Sequence, residues 1–424
     1  MIIEDPTDPA EIGYDDERIL MIGDWWQKPH SQLENETLSS VGFDWKGDSI
    51  LTNGKGLFQG ACSSPGHSLE VVTVDRNRRY RFRIINTGTL HQLAFRIAQH
   101  RMHIVEVEGQ LVEPLEVDYL ELSPGQRYSV LVTTDQSPGD YWMNSVPRYL
   151  PMDNVTGPSI LRYVGGVETL EAFDLPVASS LPSFPLEKNN WVTAQLTSKF
   201  SARRPMPSQP DLTLVFEIGS SINNVSFAPP APGELPLLEY AYQRRLPANQ
   251  ASRWIDLGNN TVVDIVLQAI VNDVGICDSH PWHMHGHGFW ELGSGSGKFE
   301  DGLAETPAAP VFRDTSVLYA YVDPEEQGRL VEGTPCGWRH IRMLTNNPGL
   351  WALHCHMTVH VMKGLAVAFG HAGGLIRSVG SGLSAGTFGC CNHTTHEQSA
   401  VTDRQGRISV SRILRTYLLH HPTS

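Results

Sequence analysis

Two short stretches of the chain concentrate its metal-binding chemistry. His280-Pro281-Trp282-His283-Met284-His285-Gly286-His287 carries four imidazoles in eight residues, and His354-Cys355-His356-Met357-Thr358-Val359-His360 carries three more around a cysteine. Imidazole and thiolate are ligands for borderline and soft transition metals. In extended backbone successive side chains point to opposite faces, so His354 and His356 share one face while Cys355 takes the other. One strand can thus serve two metal sites. Cys355 with His360 and His280 supplies the His₂Cys set of a blue-copper electron-transfer centre. The remaining candidates, His283, His285, His354 and His356, are all imidazoles, suited to a copper cluster that meets oxygen. Zinc accepts the same ligand types, but a structural zinc site pairs cysteines at short spacing and has no need of seven histidines. A third reading, histidines satisfied by hydrogen bonds on a polar surface, fits poorly with the apolar, strand-like sequence around both clusters.

The elements that hold such clusters follow from composition and pattern. The chain has 424 residues, 40% hydrophobic and 18% charged, enough apolar material for large cores and too much for disorder. At roughly 100–200 residues per domain it holds two to four domains. The 38 glycines and 28 prolines are spread along it and favour short strands joined by turns. Tyr80-Arg81-Phe82-Arg83-Ile84 alternates apolar and charged positions before the turn residues Asn86-Thr87-Gly88, and Tyr128-Ser129-Val130-Leu131-Val132 follows Ser123-Pro124-Gly125. The pattern predicts an all-β chain of sandwiches or barrels. Pro, Ser and Lys accumulate over 166–210, which reads as a linker. Strand patterning resumes at Leu212 and runs to about Phe369, and residues 371–424 turn Gly/Ser-rich and then basic, the texture of a loosely ordered tail. The net charge of −14 and the lack of a long Lys/Arg run argue against nucleic acid as a partner. No run of about 18 apolar residues predicts a membrane span.

The strings HPWHMHGHGFWELGSGSGKF at 280–299 and WALHCHMTVHVMKGLAVAF at 351–369 resemble the two C-terminal copper signatures of multicopper oxidases. The likeness extends through Asp24-Trp25-Trp26, Leu51-Thr52-Asn53-Gly54-Lys55-Gly56, Tyr80–Ile84 and Gly125–Thr134, covering about 1–370, and is nearest to ascorbate oxidases, with laccases next. The resemblance implies tandem cupredoxin-like (plastocyanin-like) Greek-key domains: a remnant of a first domain over 1–20, a second domain over 21–165, and a third, copper-binding domain over 211–370. It implies a type 1 copper held by His280, Cys355 and His360, a type 2 copper at His283, and a type 3 pair at His285, His354 and His356, four coppers in an intact enzyme. Cys355 would pass electrons through its flanking histidines to the cluster, where dioxygen is reduced to water. Electrons would enter from a small reductant at the edge of His280, with Trp25, Trp26 and Trp282 as candidate walls. His287 would be structural.

Three features depart from that pattern. Leu365 stands at the axial position of the type 1 site, which favours reduced copper and a higher potential. Thr358 stands where an acid often helps deliver protons, and Met357 and Met362 match no ligand spacing and read as packing residues. The family's cluster uses eight histidines, four of them in two His-x-His pairs of the first domain. Here the histidines before 280 are His30, His67, His91, His100 and His103, none in such a pair. Met1–Pro6 resembles the last strand of that first domain, so the expectation is a chain lacking it together with any upstream signal peptide. An alternative is a non-catalytic electron carrier with the type 1 site alone. Asn-x-Ser/Thr sequons at Asn35, Asn154, Asn224, Asn259 and Asn392 suggest a secreted glycoprotein. Cys62, Cys277, Cys336, Cys390 and Cys391 could form disulfides, with pairing open.

Overall fold

The computed structural model describes residues 12–371 apart from 40–44, 59–68, 150–151, 153–154, 166–180, 186–194, 200, 228–253, 301–306 and 323–324. The sequence expectations for Met1–Pro6, most of the linker, nearly all of the tail, Cys62, Cys390, Cys391, Asn154 and Asn392 fall outside these residues.

Among the described residues, twenty-one strands form two sandwiches. The first contains β1 (Asp16–Trp25), β2 (Ser49–Thr52), β3 (Val71–Val74), β4 (Arg79–Asn86), β5 (Leu93–Ile97), β6 (Met102–Val107), β7 (Gln110–Val117), β8 (Leu120–Leu122), β9 (Arg127–Thr133), β10 (Asp140–Pro147) and β11 (Gly157–Tyr163). Its sheets run β2-β1-β4-β9-β6-β7 and β3-β11-β10-β5-β8. The second contains β12 (Leu212–Ile218), β13 (Trp254–Leu257), β14 (Val262–Ile270), β15 (His280–Met284), β16 (Phe289–Gly295), β17 (Phe312–Arg313), β18 (Thr315–Leu318), β19 (Pro335–Leu344), β20 (Gly349–Cys355) and β21 (Ala366–His371). Its sheets run β12-β14-β19-β16-β17 and β13-β21-β20-β15-β18. With β2 set aside, the two orders are the same, strand for strand. Both sandwiches also open with a parallel pair, β1 on β4 and β12 on β14. The all-β tandem architecture follows the sequence expectation. The first sandwich starts at Asp16, ahead of the boundary expected at 21, because β1 pairs over its whole first part with β4.

Alternation in β4 buries Tyr80, Phe82 and Ile84 as its pattern requires, in a core shared with Leu20, Ile104 and Val130. Arg81 is also buried, against the expectation of an outward charge, because Glu106 and Ser129 bind its guanidinium. The second core gathers Trp282, Phe289, Ile341, Cys355 and Phe369. Each large side chain removed from water contributes about 1.5–3 kcal/mol, so either core can hold its sandwich together. A disulfide joins Cys277 to Cys336 in the second.

The described pieces of the connection are held on both sides. Ser198 forms a bridge to Val112 of β7, and its N–H donates to the carbonyl of Ala309, on the way to β17. Among the described residues two helices complete the frame, α1 (His30–Leu38) and α2 (Thr358–Met362). Among the described residues no helix is long and apolar enough to cross a membrane.

Candidate metal centre

β15 and β20 are neighbours in one sheet, with Trp282 opposite Cys355 and His283 opposite His354. That register, with α2 following directly after β20, brings the two histidine clusters together. His280 opens β15, Cys355 closes β20, and His360 rides on α2. Cys355 Sγ lies 3.6 Å from His280 Nδ1 and 3.5 Å from His360 Nδ1, and the two nitrogens are 3.1 Å apart. A triangle with those edges has a centre about 2 Å from each corner, the bond length of a transition-metal ion to imidazole or thiolate. Burial keeps both imidazoles neutral and able to donate: it holds His280 well below the usual histidine range, assisted by His360, and lowers His360 to about 4, assisted by Lys363. Burial pushes the Cys355 thiol well up, so a bare thiolate is disfavoured there. A metal cation among the three donors would reverse that preference. The residues therefore fit a copper ion. Leu365 is buried at the same place, its carbonyl accepting the Cys355 N–H and its N–H donating to the His360 carbonyl.

The imidazole cluster lies on the other side of Cys355. Nε2 of His285 and Nε2 of His354 are 2.9 Å apart. The His283 ring lies 5.0 Å from His285, 5.6 Å from His354 and 5.8 Å from His356, centre to centre. His283 Nδ1 donates to the Asp314 carbonyl at 2.9 Å, and His354 Nδ1 donates to the Cys355 carbonyl at 2.8 Å. Each bond fixes a tautomer and leaves Nε2 as the lone-pair nitrogen. Burial lowers His283 to about 3, against the pull of Asp314 and with help from His285 and His356. His354 is held well below the usual range, by burial first and then by His283 and His285. His287 turns its Nδ1 to the His285 carbonyl and meets Trp351 edge-on.

The first sandwich contributes to this region, and sequence reading missed how. Gly125 has φ +82°, and a Cβ there would stand 2.4 Å from the His356 ring. Arg127 binds Asp314 through two hydrogen bonds of 2.7 and 2.8 Å, and Arg313 binds Glu108 at 2.8 Å. The Ser123-Pro124-Gly125 turn was the visible signal; its contact across the interface was not.

The tryptophan walls need correction. Trp282 is fully buried among core residues, flanked by β18 and β20, and offers no face to a reductant. Trp26 is buried against the second core and the His91 ring, while Trp25 is 52% exposed.

Two repeated sandwiches, one with a His₂Cys triangle beside an imidazole cluster, define a tandem cupredoxin-like protein. Family models described as multicopper oxidase match residues 16–166 and 224–372. The chain belongs to the multicopper oxidase family, whose enzymes are copper-dependent oxidoreductases. An L-ascorbate oxidase of Cucurbita pepo var. melopepo is 30% identical over 427 residues, spanning 87% of this chain and 73% of that protein. Laccase-2 of Oryza sativa subsp. japonica is 32% identical over 408 residues, spanning 84% and 68%. Among solved structures, a laccase from Botrytis aclada superposes with a TM-score of 0.68 at 20% identity, covering 86% of this chain and 65% of that one. A multicopper oxidase that functions in iron import superposes with a TM-score of 0.67 at 20% identity, covering 89% and 69%. These two likenesses show the fold.

Proposed function

We propose that the chain is an oxidase that takes electrons from a small reductant of the ascorbate or phenol class and delivers them to dioxygen, forming water. The His280, Cys355 and His360 triangle carries the proposal. In this reading those three residues hold a type 1 copper with Leu365 at the axial position, His283 serves a type 2 copper, and His285, His354 and His356 serve a type 3 pair. Copper at the triangle supplies one-electron redox chemistry. The chain's own residues keep water from the thiol, hold the imidazoles neutral, and fix which ring nitrogen faces each site. They also join the two donor sets covalently, since Cys355 is bonded to both His354 and His356. The hydrogen bond from His354 Nδ1 to the Cys355 carbonyl adds a second link. Leu365, which cannot donate, favours a high potential and so admits weak reductants such as phenols. The names L-ascorbate oxidase and laccase among the relatives support the two reductant classes. The Cys277–Cys336 disulfide and the exposed sequon residues Asn35, Asn224 and Asn259 support a secreted, glycosylated protein.

One observation favours a second reading, an electron carrier that does not reduce oxygen: among the described residues, His280, Cys355 and His360 are the set of three donors that lie within 4.8 Å of one another. Loading the full chain with copper separates the two. Four coppers per chain, a blue absorption band and oxygen uptake with ascorbate or a phenol support the oxidase. One copper with a blue band and no oxygen uptake supports the carrier. Absence of the blue band overturns both.

A further inference from the structure

The helix that carries His360 is five residues long, too short to persist by its own hydrogen bonds. Its first N–H groups have no intrahelical partner, and its N-cap residue, Met357, supplies no side-chain acceptor. The N–H of Thr358, the first helical residue, instead donates to the carbonyl of Thr89 at 2.8 Å. Thr89 belongs to the first sandwich, in the turn between β4 and β5. The metal-side helix is thus capped by the other domain.

That capping carbonyl is held in place by one buried carboxylate. Asp24 Oδ1 accepts the N–H of Thr89 at 2.7 Å and its hydroxyl at 3.1 Å. Asp24 Oδ2 accepts the N–H of Leu90 at 2.9 Å, the N–H of His91 at 2.5 Å and His91 Nδ1 at 3.0 Å. Five donors converge on a side chain that is fully buried. Asn86 secures the same turn from its other end, accepting the Gly88 N–H and donating to the carbonyls of His91 and Leu122. The turn also lies close against β1, where a Cβ on Gly23 would meet the Gly88 nitrogen at 2.8 Å and only glycine fits. Beyond the turn, Leu90 and Trp26 are built into the core of the second sandwich together with Met357. The first sandwich therefore presents a rigid knob whose tip ends on the residue two places before His360.

We infer that Asp24 is a positioning residue for the type 1 centre, acting across the domain interface by fixing the Thr89 carbonyl that caps the helix bearing His360. The inference rests on the proposed assignment of His280, Cys355 and His360 to copper. It gives the acid of Asp24-Trp25-Trp26 a role that is neither ligand nor substrate contact. Groups that orient a metal ligand typically change affinity 10–100-fold when removed.

Two substitutions test it in the full chain. Thr358→Pro removes the capping donor and little else, because proline suits the first helical position and Met357, at φ −69° and ψ 117°, already has the extended backbone a following proline requires. Asp24→Asn keeps the shape but turns a donor toward backbone N–H groups. Thr358→Ser, which keeps the N–H, is the control. Copper-loaded wild type and Thr358→Ser should share one blue band, one copper hyperfine pattern and one reduction potential. Thr358→Pro and Asp24→Asn should release copper to a chelator about tenfold faster, with a weakened band and a shifted potential. A purely structural role would lower the melting temperature and leave those signatures unchanged in the folded variants. If Asp24→Asn fails to fold, Thr358→Pro decides alone. A blue wild type with an unchanged Thr358→Pro overturns the positioning role, whereas a wild type without the band overturns the copper assignment on which it rests.

Discussion

The two sandwiches share one strand order and differ in what matching strands carry. In the first, β5 reads Leu93-Ala94-Phe95-Arg96-Ile97 and lies between β8 and β10; in the second, its counterpart β15 reads His280-Pro281-Trp282-His283-Met284 and lies between β18 and β20. The pairing is antiparallel in both. The fold therefore asks only for apolar inner faces and compatible turns, and the metal chemistry is a separate layer of substitutions on it. That layer has a cost. Buried imidazoles and a thiol replace hydrocarbon, and without a metal they give the second core less than the first gains from Leu93, Phe95 and Ile97. The second sandwich should be the weaker half as apoprotein and the half that copper strengthens.

Cys355→Ser should have the largest effect on that contrast. The blue band should vanish, and copper should no longer raise the unfolding temperature of the second sandwich, while the first melts as before; visible absorption and calorimetry of the full chain read both. A copper-dependent rise that survives the substitution would mean that the triangle is not where copper stabilises the fold.

Acid should follow in size. The second sandwich holds His280, His283, His354, His356 and His360 below their usual range, His283 at about 3 and His360 at about 4. Between about pH 6.5 and these values the unfolded chain binds protons that the folded chain refuses, so stability falls as pH falls. Each pH unit in that window removes up to about 1.4 kcal/mol per fully shifted imidazole. The first sandwich has His100, also lowered by burial, to set against this. Amide exchange of the apoprotein at pH 7 and pH 5 should show protection lost first from β15 and β20. Equal loss in β5 and β10 would erase the contrast.

The interface comes next. Arg313 is buried between Glu108 of the first sandwich and Glu291 of the second. Arg313→Ala leaves both carboxylates without their shared partner and should cost about 3–5 kcal/mol in urea unfolding. It should also widen the separation between the unfolding of the two halves, so an unchanged separation would mean that other contacts couple them.

The smallest effect should come from the disulfide. Removing it with Cys277→Ala and Cys336→Ala should destabilise the second sandwich by about 2–4 kcal/mol and leave the first unchanged. A change in both would show that the loss spreads through the interface.

How much of this was legible in the sequence depends on distance along the chain. The two histidine strings announce themselves because each packs its ligands within a few residues and because alternation in a strand assigns His354 and Cys355 to opposite faces. Several strands followed from the same local patterns, whereas their order in the sheets did not. Contacts between distant residues had no such signal: Arg127 and Asp314 are 187 positions apart, and Asp24 reaches Thr89 across 65. Trp282 was misread because a tryptophan between histidines looks like a wall until neighbours on both sides of its strand cover it. Arg81 is buried although it lies on the face opposite Tyr80 and Phe82, and alternation cannot reveal that Glu106 and Ser129 stand on that face to bind it. The cysteine pairing needed coordinates, since spacing does not say which thiols meet.

The short segment at Leu196–Lys199 has a consequence for the whole particle. It is stitched to β7 by Ser198, by the Thr197 carbonyl and by the Lys199 N–H, while Ser198 also donates to Ala309 of the other half. A segment fastened to both halves does not act as a swivel. In solution the two halves should tumble with a single rotational correlation time, as one rigid body and not as two beads on a string.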